Sequence, residues 1–188
     1  MHEAQKIFTT QVKKIFPESF KNKKVLDVGS YDINGNNQYL FEKCDYIGID
    51  IKEGSNVNHV VKGHEYEGDD ESFDTIISTE CFEHDMYYEK TLKNIVRMLK
   101  PGGLFVFSCA GPGRLEHGTL RTTPQDSAVT LLKADGDEEL LNWQNYYKNL
   151  KEDDIKKAID MSAFEQHQFY YAPPPIADLY FWGLKYGK

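Results

Sequence analysis

Cysteine is scarce in this sequence. The three present, Cys44, Cys81 and Cys109, are odd in number and share no C-x-x-C spacing. This argues against a disulfide framework and a closed thiolate zinc site, and a reducing, cytoplasmic compartment is expected. Positive charge is also short. The 22 Lys and Arg are outnumbered by 30 Asp and Glu, for a formal charge of −8, whereas binding by phosphate neutralisation needs a concentrated basic surface. No nucleic acid partner is expected. No stretch approaches the ~20 apolar residues of a membrane span, and Met1 to Lys6 lack the basic and then apolar pattern of a secretion signal. Neither a membrane location nor export is expected.

What is present is globular. Hydrophobic residues make up 40% and charged residues 28% of 188 positions, which suits one core and a single domain over residues 1–188. Ile7, Phe8, Val12, Ile15 and Phe16 fall at helical spacings until Pro17 stops them. Lys24 to Val28 is a short apolar strand running into Gly29 and a polar turn, with Gln38 to Lys43 as part of a following helix. Further strands are expected at Tyr46 to Asp50, Val57 to Val61, Phe73 to Ser78 and Leu104 to Ser108, with a helix over 87–99 ended by Lys100-Pro101-Gly102-Gly103. Phe164 to Tyr171 and Leu179 to Leu184 make a closing antiparallel hairpin. Strands alternating with helices predict an α/β, doubly wound, mostly parallel sheet of about seven strands.

In such a sheet, ligands bind beyond the carboxyl ends of the strands. The informative residues sit there: Asp27 and Gly29 after the first strand, Asp50 after the second, Gly63-His64 after the third, Ser78-Thr79-Glu80 after the fourth. Gly29 permits a tight turn and a close backbone approach. Asp50 can accept two hydrogen bonds from vicinal ribose hydroxyls, and it lies 23 residues after Asp27, near the spacing of a nucleoside-binding βαβ unit. Cys81 and His84 place a thiol and an imidazole at i, i+3, but no second ligand pair is evident and no metal is expected. Trp143, Tyr146 and Tyr147 at helical spacing read as core or lid packing.

Val25-Leu26-Asp27-Val28-Gly29, Tyr46 to Asp50, Ser72 to Ser78, Glu83-His84 and Leu99 to Leu104 together resemble the class I S-adenosylmethionine-dependent methyltransferases, especially their methyltransferase type 11 branch. The resemblance implies a Rossmann-like fold and S-adenosylmethionine as cofactor. It implies that Asp27 meets the methionine amino group, that Gly29 cradles the methionine part, and that Asp50, with Ile51 beside it, holds the ribose. Gly63 and His64 would flank the adenine, and Ser78, Thr79 and Glu80 would floor the sulfonium. One departure stands out: Tyr31 and Ile33 occupy the places of the family's later glycines, so a longer loop using Ser30 and Gly35 is expected.

The implied function is transfer of a methyl group to an O or N nucleophile of a small-molecule acceptor, a sugar or another metabolite. A non-catalytic ligand-binding module on a degenerate methyltransferase fold is one alternative. A NAD-dependent oxidoreductase is the other, disfavoured because G-x-G-x-x-G is absent after the first strand. The polar insertion at about 111–160 is expected to cover the acceptor. Within it His117 is the candidate general base, because imidazole titrates nearest neutral pH.

Overall fold

The structure, a computed structural model, describes residues 2 to 187. Its strands are β1 (Lys24–Val28), β2 (Asp45–Asp50), β3 (His59–Val60), β4 (Phe73–Thr79), β5 (Leu99–Ala110), β6 (Phe164–Tyr171) and β7 (Asp178–Lys185). They form one seven-stranded sheet in the order β3-β2-β1-β4-β5-β7-β6. The first five are parallel, and β7 inserts antiparallel between β5 and β6. This is the expected doubly wound sheet with its closing hairpin. Among the described residues, no helix is long and apolar enough to cross a membrane.

Alternation along the central strands divides the core between two faces. Leu26, Ile76, Phe105 and Phe107 pack on one face with Leu92, Ile95 and Met98 of α2 (Tyr88–Met98) and Ile155 of α4 (Glu152–Ala158). Val25, Ile77, Leu104 and Val106 pack on the other, beneath Phe8 and Val12 of α1 (Glu3–Ile15). Each large side chain so buried contributes roughly 1.5–3 kcal/mol, which fixes the register and with it the strand ends.

Three local expectations need correction. The helix expected at Gln38 to Lys43 is a single 3-10 turn, Gln38–Leu40. Asp32 and Asn36 accept hydrogen bonds from the Gly35 and Gln38 amides at 2.6 and 3.0 Å, giving the backbone an alternative to helix. The third strand shrinks to two residues, because the Asn58 side chain, rather than a backbone carbonyl, accepts from the Gly48 amide at 2.8 Å. Lys100 to Gly103 lies inside β5 as a bulge, Phe73 pairing with Leu99 and Thr75 with Leu104. The insertion also carries, before α4, the helix α3 (Glu138–Gln144), capped by the Asp137 carboxylate on the Leu140 amide.

Candidate active site

β1 delivers Asp27 and Gly29 to the carboxyl edge of the sheet. Gly29 has φ +78, and a Cβ there would lie 2.5 Å from the Cys81 side chain, so both conformation and space demand glycine. The Gly29 and Ser30 amides donate to the Ile49 carbonyl, which holds the turn against β2. Asp27 is buried, and burial pushes its pKa up to about 6 despite hydrogen bonds from Tyr46, Asn37 and Asn56. The Asn37 side-chain oxygen Oδ1, close by, is buried without a partner.

β2 delivers Asp50. Its carboxylate accepts from the Tyr31 amide at 2.9 Å and the Ile51 amide at 2.7 Å, and burial raises its pKa to about 6. The Lys52 backbone N–H adds a third hydrogen bond, which still leaves accepting capacity on the carboxylate. The departure at Tyr31 has a structural account: its amide is spent on Asp50, while its ring supports the Lys52 ammonium at 4.7 Å.

β4 ends in Thr79 and Glu80. Glu80 takes a left-handed φ of +53, a strained conformation of the kind that collects at functional sites. Its carboxyl is raised by burial and by Asp178 beside it, with His2 of the N-terminal segment 3.9 Å away.

These strand ends open into one cavity of about 490 Å³ lined by Asp27, Gly29, Ser30, Gly35, Asp50, Ile51, Gly63, Thr79, Glu80 and His117. Two residues singled out from the sequence stand outside the lining. The Ser78 side chain is fully buried and donates to the Val28 carbonyl at 2.8 Å, pinning β4 to β1. His64 turns its ring to Tyr87, 4.5 Å between centroids. Other lining residues went unmarked: Asn37, Asp85 and Val129, together with His2 and Gln5 at the start of the chain. Only Asn37 left a trace, as part of the polar turn after the first strand.

The far end of the cavity is built from the insertion. His84 and His117 meet edge to face at 5.1 Å between ring centroids, and Trp143 donates its indole N–H to the His84 carbonyl. Burial and the neighbouring His117 hold His84 down at about 3, so it is neutral. His117 is within 3.1 Å of the Leu115 carbonyl through Nδ1. Gly118, with φ +62, lies so near His84 that a Cβ would sit 2.6 Å from its ring. Asp27, Asp50 and Glu80 thus line one end of the cavity and the two imidazoles the other, and the acids favour a cationic ligand.

A family model described as a methyltransferase domain matches residues 1–172. Among solved structures, phosphoethanolamine N-methyltransferase 2 of Haemonchus contortus, in complex with phosphomonomethylethanolamine and S-adenosylhomocysteine, matches at TM-score 0.60 and 15% identity, over 95% of this chain and 53% of that one. The 1,6-didemethyltoxoflavin-N1-methyltransferase of Burkholderia thailandensis, with 1,6-didemethyltoxoflavin and S-adenosylhomocysteine bound, matches at 0.58 and 15%, over 99% and 92%. The N-methyltransferase NodS of Bradyrhizobium japonicum WM9 matches at 0.59 and 15%, over 98% and 97%. The chain therefore spans about half the length of the Haemonchus protein. At these identities the likeness is one of fold. No curated protein matches the sequence.

Proposed function

The chain belongs to the methyltransferase-domain family, and from that premise we propose that it transfers a methyl group from S-adenosylmethionine to an oxygen or nitrogen nucleophile of a small acceptor in a reducing cytoplasm. The observation that carries this reading is the convergence of Asp27, Gly29, Asp50 and Glu80, from three strand ends, on one cavity. The residues present fit the cofactor. Gly29 lines the cavity with bare backbone, and the unpartnered Asn37 side-chain oxygen Oδ1 is an acceptor suited to an ammonium. Acidic lining suits a ligand that carries both an ammonium and a sulfonium. When bound, the sulfonium supplies an electrophilic methyl group.

Asp27 and Asn37 take the amino group, Gly29, Ser30 and Gly35 the carboxylate end, and Asp50 the ribose hydroxyls, with Ile51 beside the base. Of the residues after β3 and at the end of β4, we place Gly63 and Thr79 in contact and keep His64 and Ser78 as support. The insertion covers the acceptor. His117 Nδ1 lies 3.1 Å from the Leu115 carbonyl and 3.2 Å from the Tyr147 hydroxyl, and in the tautomer that donates Nδ1–H there, Nε2 is free to take the proton of a hydroxyl or amine. The likeness in fold to proteins whose bound molecules are small, nitrogen-bearing acceptors supports a metabolite over a macromolecule.

Calorimetry and thermal shift with S-adenosylhomocysteine test the cofactor site, and ligand at 100 times Kd should add about 2.7 kcal/mol. No binding at millimolar ligand overturns the proposal. Binding without turnover across hydroxyl and amine acceptors would leave a ligand-binding module instead.

A further inference from the structure

We propose that Glu83, His84 and His117 form a binding site for a divalent transition-metal ion of the Zn2+, Mn2+ or Fe2+ kind, with its open coordination positions facing the acceptor end of the cavity. One donor atom from each residue lies within 4.8 Å of the other two. The donors come from two distant segments, the turn after β4 and the loop after β5, which only the folded sheet brings together.

The side chains present buried donor atoms to one point. Glu83 is fully buried, neither carboxylate oxygen has a side-chain partner, and the backbone N–H groups of Glu83 and Ala110 face it. His84 is 7% exposed and its Nδ1 is likewise unpartnered. A buried carboxylate without a partner is costly, and buried charges are found paired or on metals. Among the described residues, His117 Nε2 stands 4.0 Å from Glu83 Oε1, beyond hydrogen-bond reach. Four-coordinate binding with bonds of ~2.1 Å spaces ligand atoms ~3.4 Å apart, so the pair needs to close only slightly around an ion.

The surroundings orient these ligands. His117 Nδ1 meets the Leu115 carbonyl at 3.1 Å, an outer hydrogen bond that leaves Nε2 as the donor atom toward Glu83. The Glu83 carbonyl accepts from the Lys148 amide at 3.0 Å, and the His84 carbonyl accepts from the Trp143 indole. Gly118 lets the loop press against His84 where any Cβ would collide. Two imidazoles and one carboxylate suit borderline divalent ions better than Mg2+ or Ca2+, and three protein ligands leave positions for an outside oxygen. Both histidines line the cavity.

The site deepens the function proposed above and rests on it for the acceptor's position. An acceptor hydroxyl coordinated there would lose its proton to water more readily, and the oxygen lone pair so freed is what attacks the methyl carbon. The C–S bond breaks as that bond forms, its electron pair staying on sulfur. His117 is then a ligand, and serves as a base only in the metal-free protein.

The test is titration of the chelator-stripped full chain with Co2+, read as visible absorption, and with Zn2+, read by calorimetry. One ion per chain is expected. Outer-shell partners of a metal site carry roughly 10–100-fold in affinity, so His117→Ala and Glu83→Gln should each weaken binding by more than about 100-fold, while His167→Ala leaves it unchanged. His117 is partly exposed, so its variant should fold even if Glu83→Gln does not. Absence of uptake, or uptake that survives His117→Ala, overturns the site. S-adenosylhomocysteine binding is measured in parallel: its retention without metal uptake defeats only the metal site, and metal uptake without it defeats only the proposed function.

Discussion

The two ends of the cavity are built on different principles. The end holding Asp27, Gly29 and Asp50 is an extension of the sheet: these residues close paired parallel strands, and their register follows from β1 against β2 and β4. The end holding His84, His117 and Trp143 depends on a long connection of turns and two short helices, anchored by single hydrogen bonds such as Gly118 N–H to Thr123. A sheet-built site has positions set by many cooperative bonds, whereas a loop-built site is set by a few and can change its chemistry without disturbing the fold. Under the proposed function, the first end is the cofactor frame and the second selects the acceptor.

That division can be broken most sharply at His117. Replacing it with Ala should lower turnover by roughly 10²–10⁴-fold while leaving S-adenosylhomocysteine affinity within twofold, about the error of calorimetry; a parallel fall in cofactor affinity would erase the distinction between the ends. Asp50→Ala is the reciprocal change. Losing a hydrogen bond to a charged group should weaken cofactor binding by about ten- to a hundredfold, with a circular dichroism spectrum like that of the parent.

pH separates the ends more gently. Asp27 and Asp50 are each raised to about 6 in the ligand-free protein, and under the proposed function their ionised forms are the ones that bind. Cofactor affinity should therefore fall as pH drops through 6, by about tenfold per unit for one obligatory carboxylate. Stability of the ligand-free protein runs the other way. These two groups favour folding fully below their ordinary 3.8, and that contribution is lost as pH rises through about 6. The melting shift given by S-adenosylhomocysteine should thus grow between pH 5 and 7, and a flat profile would remove these carboxylates from the site. The smallest expected effect is on stability: Gly118→Ala places a side chain at φ +62 against His84, costing about 1–2 kcal/mol by its left-handed backbone alone, with chemical denaturation as the readout.

Strand ends were readable because alternating apolar residues mark where a strand stops, and an acid or glycine after an apolar run marks where ligands are met. Val25 to Gly29 and Tyr46 to Asp50 show this directly. The elements that were misread are short ones governed by side chain to backbone bonds: the Gln38–Leu40 turn, the two-residue β3 and the bulge at Lys100 to Gly103. Their local pattern supports more than one conformation, and packing against the sheet selects among them.

The sequence by itself determined the methyltransferase resemblance, the mostly parallel sheet and the placement of Asp27, Gly29 and Asp50, because periodicity and turn chemistry are local properties of a chain. Only the tertiary structure decided that the Ser78 side chain turns into the core, that the N-terminal helix brings His2 and Gln5 to the cavity, and that His117 meets Glu83 and His84. Those facts depend on contacts between segments far apart in the chain, and no spacing along it records which loop will close over which strand end.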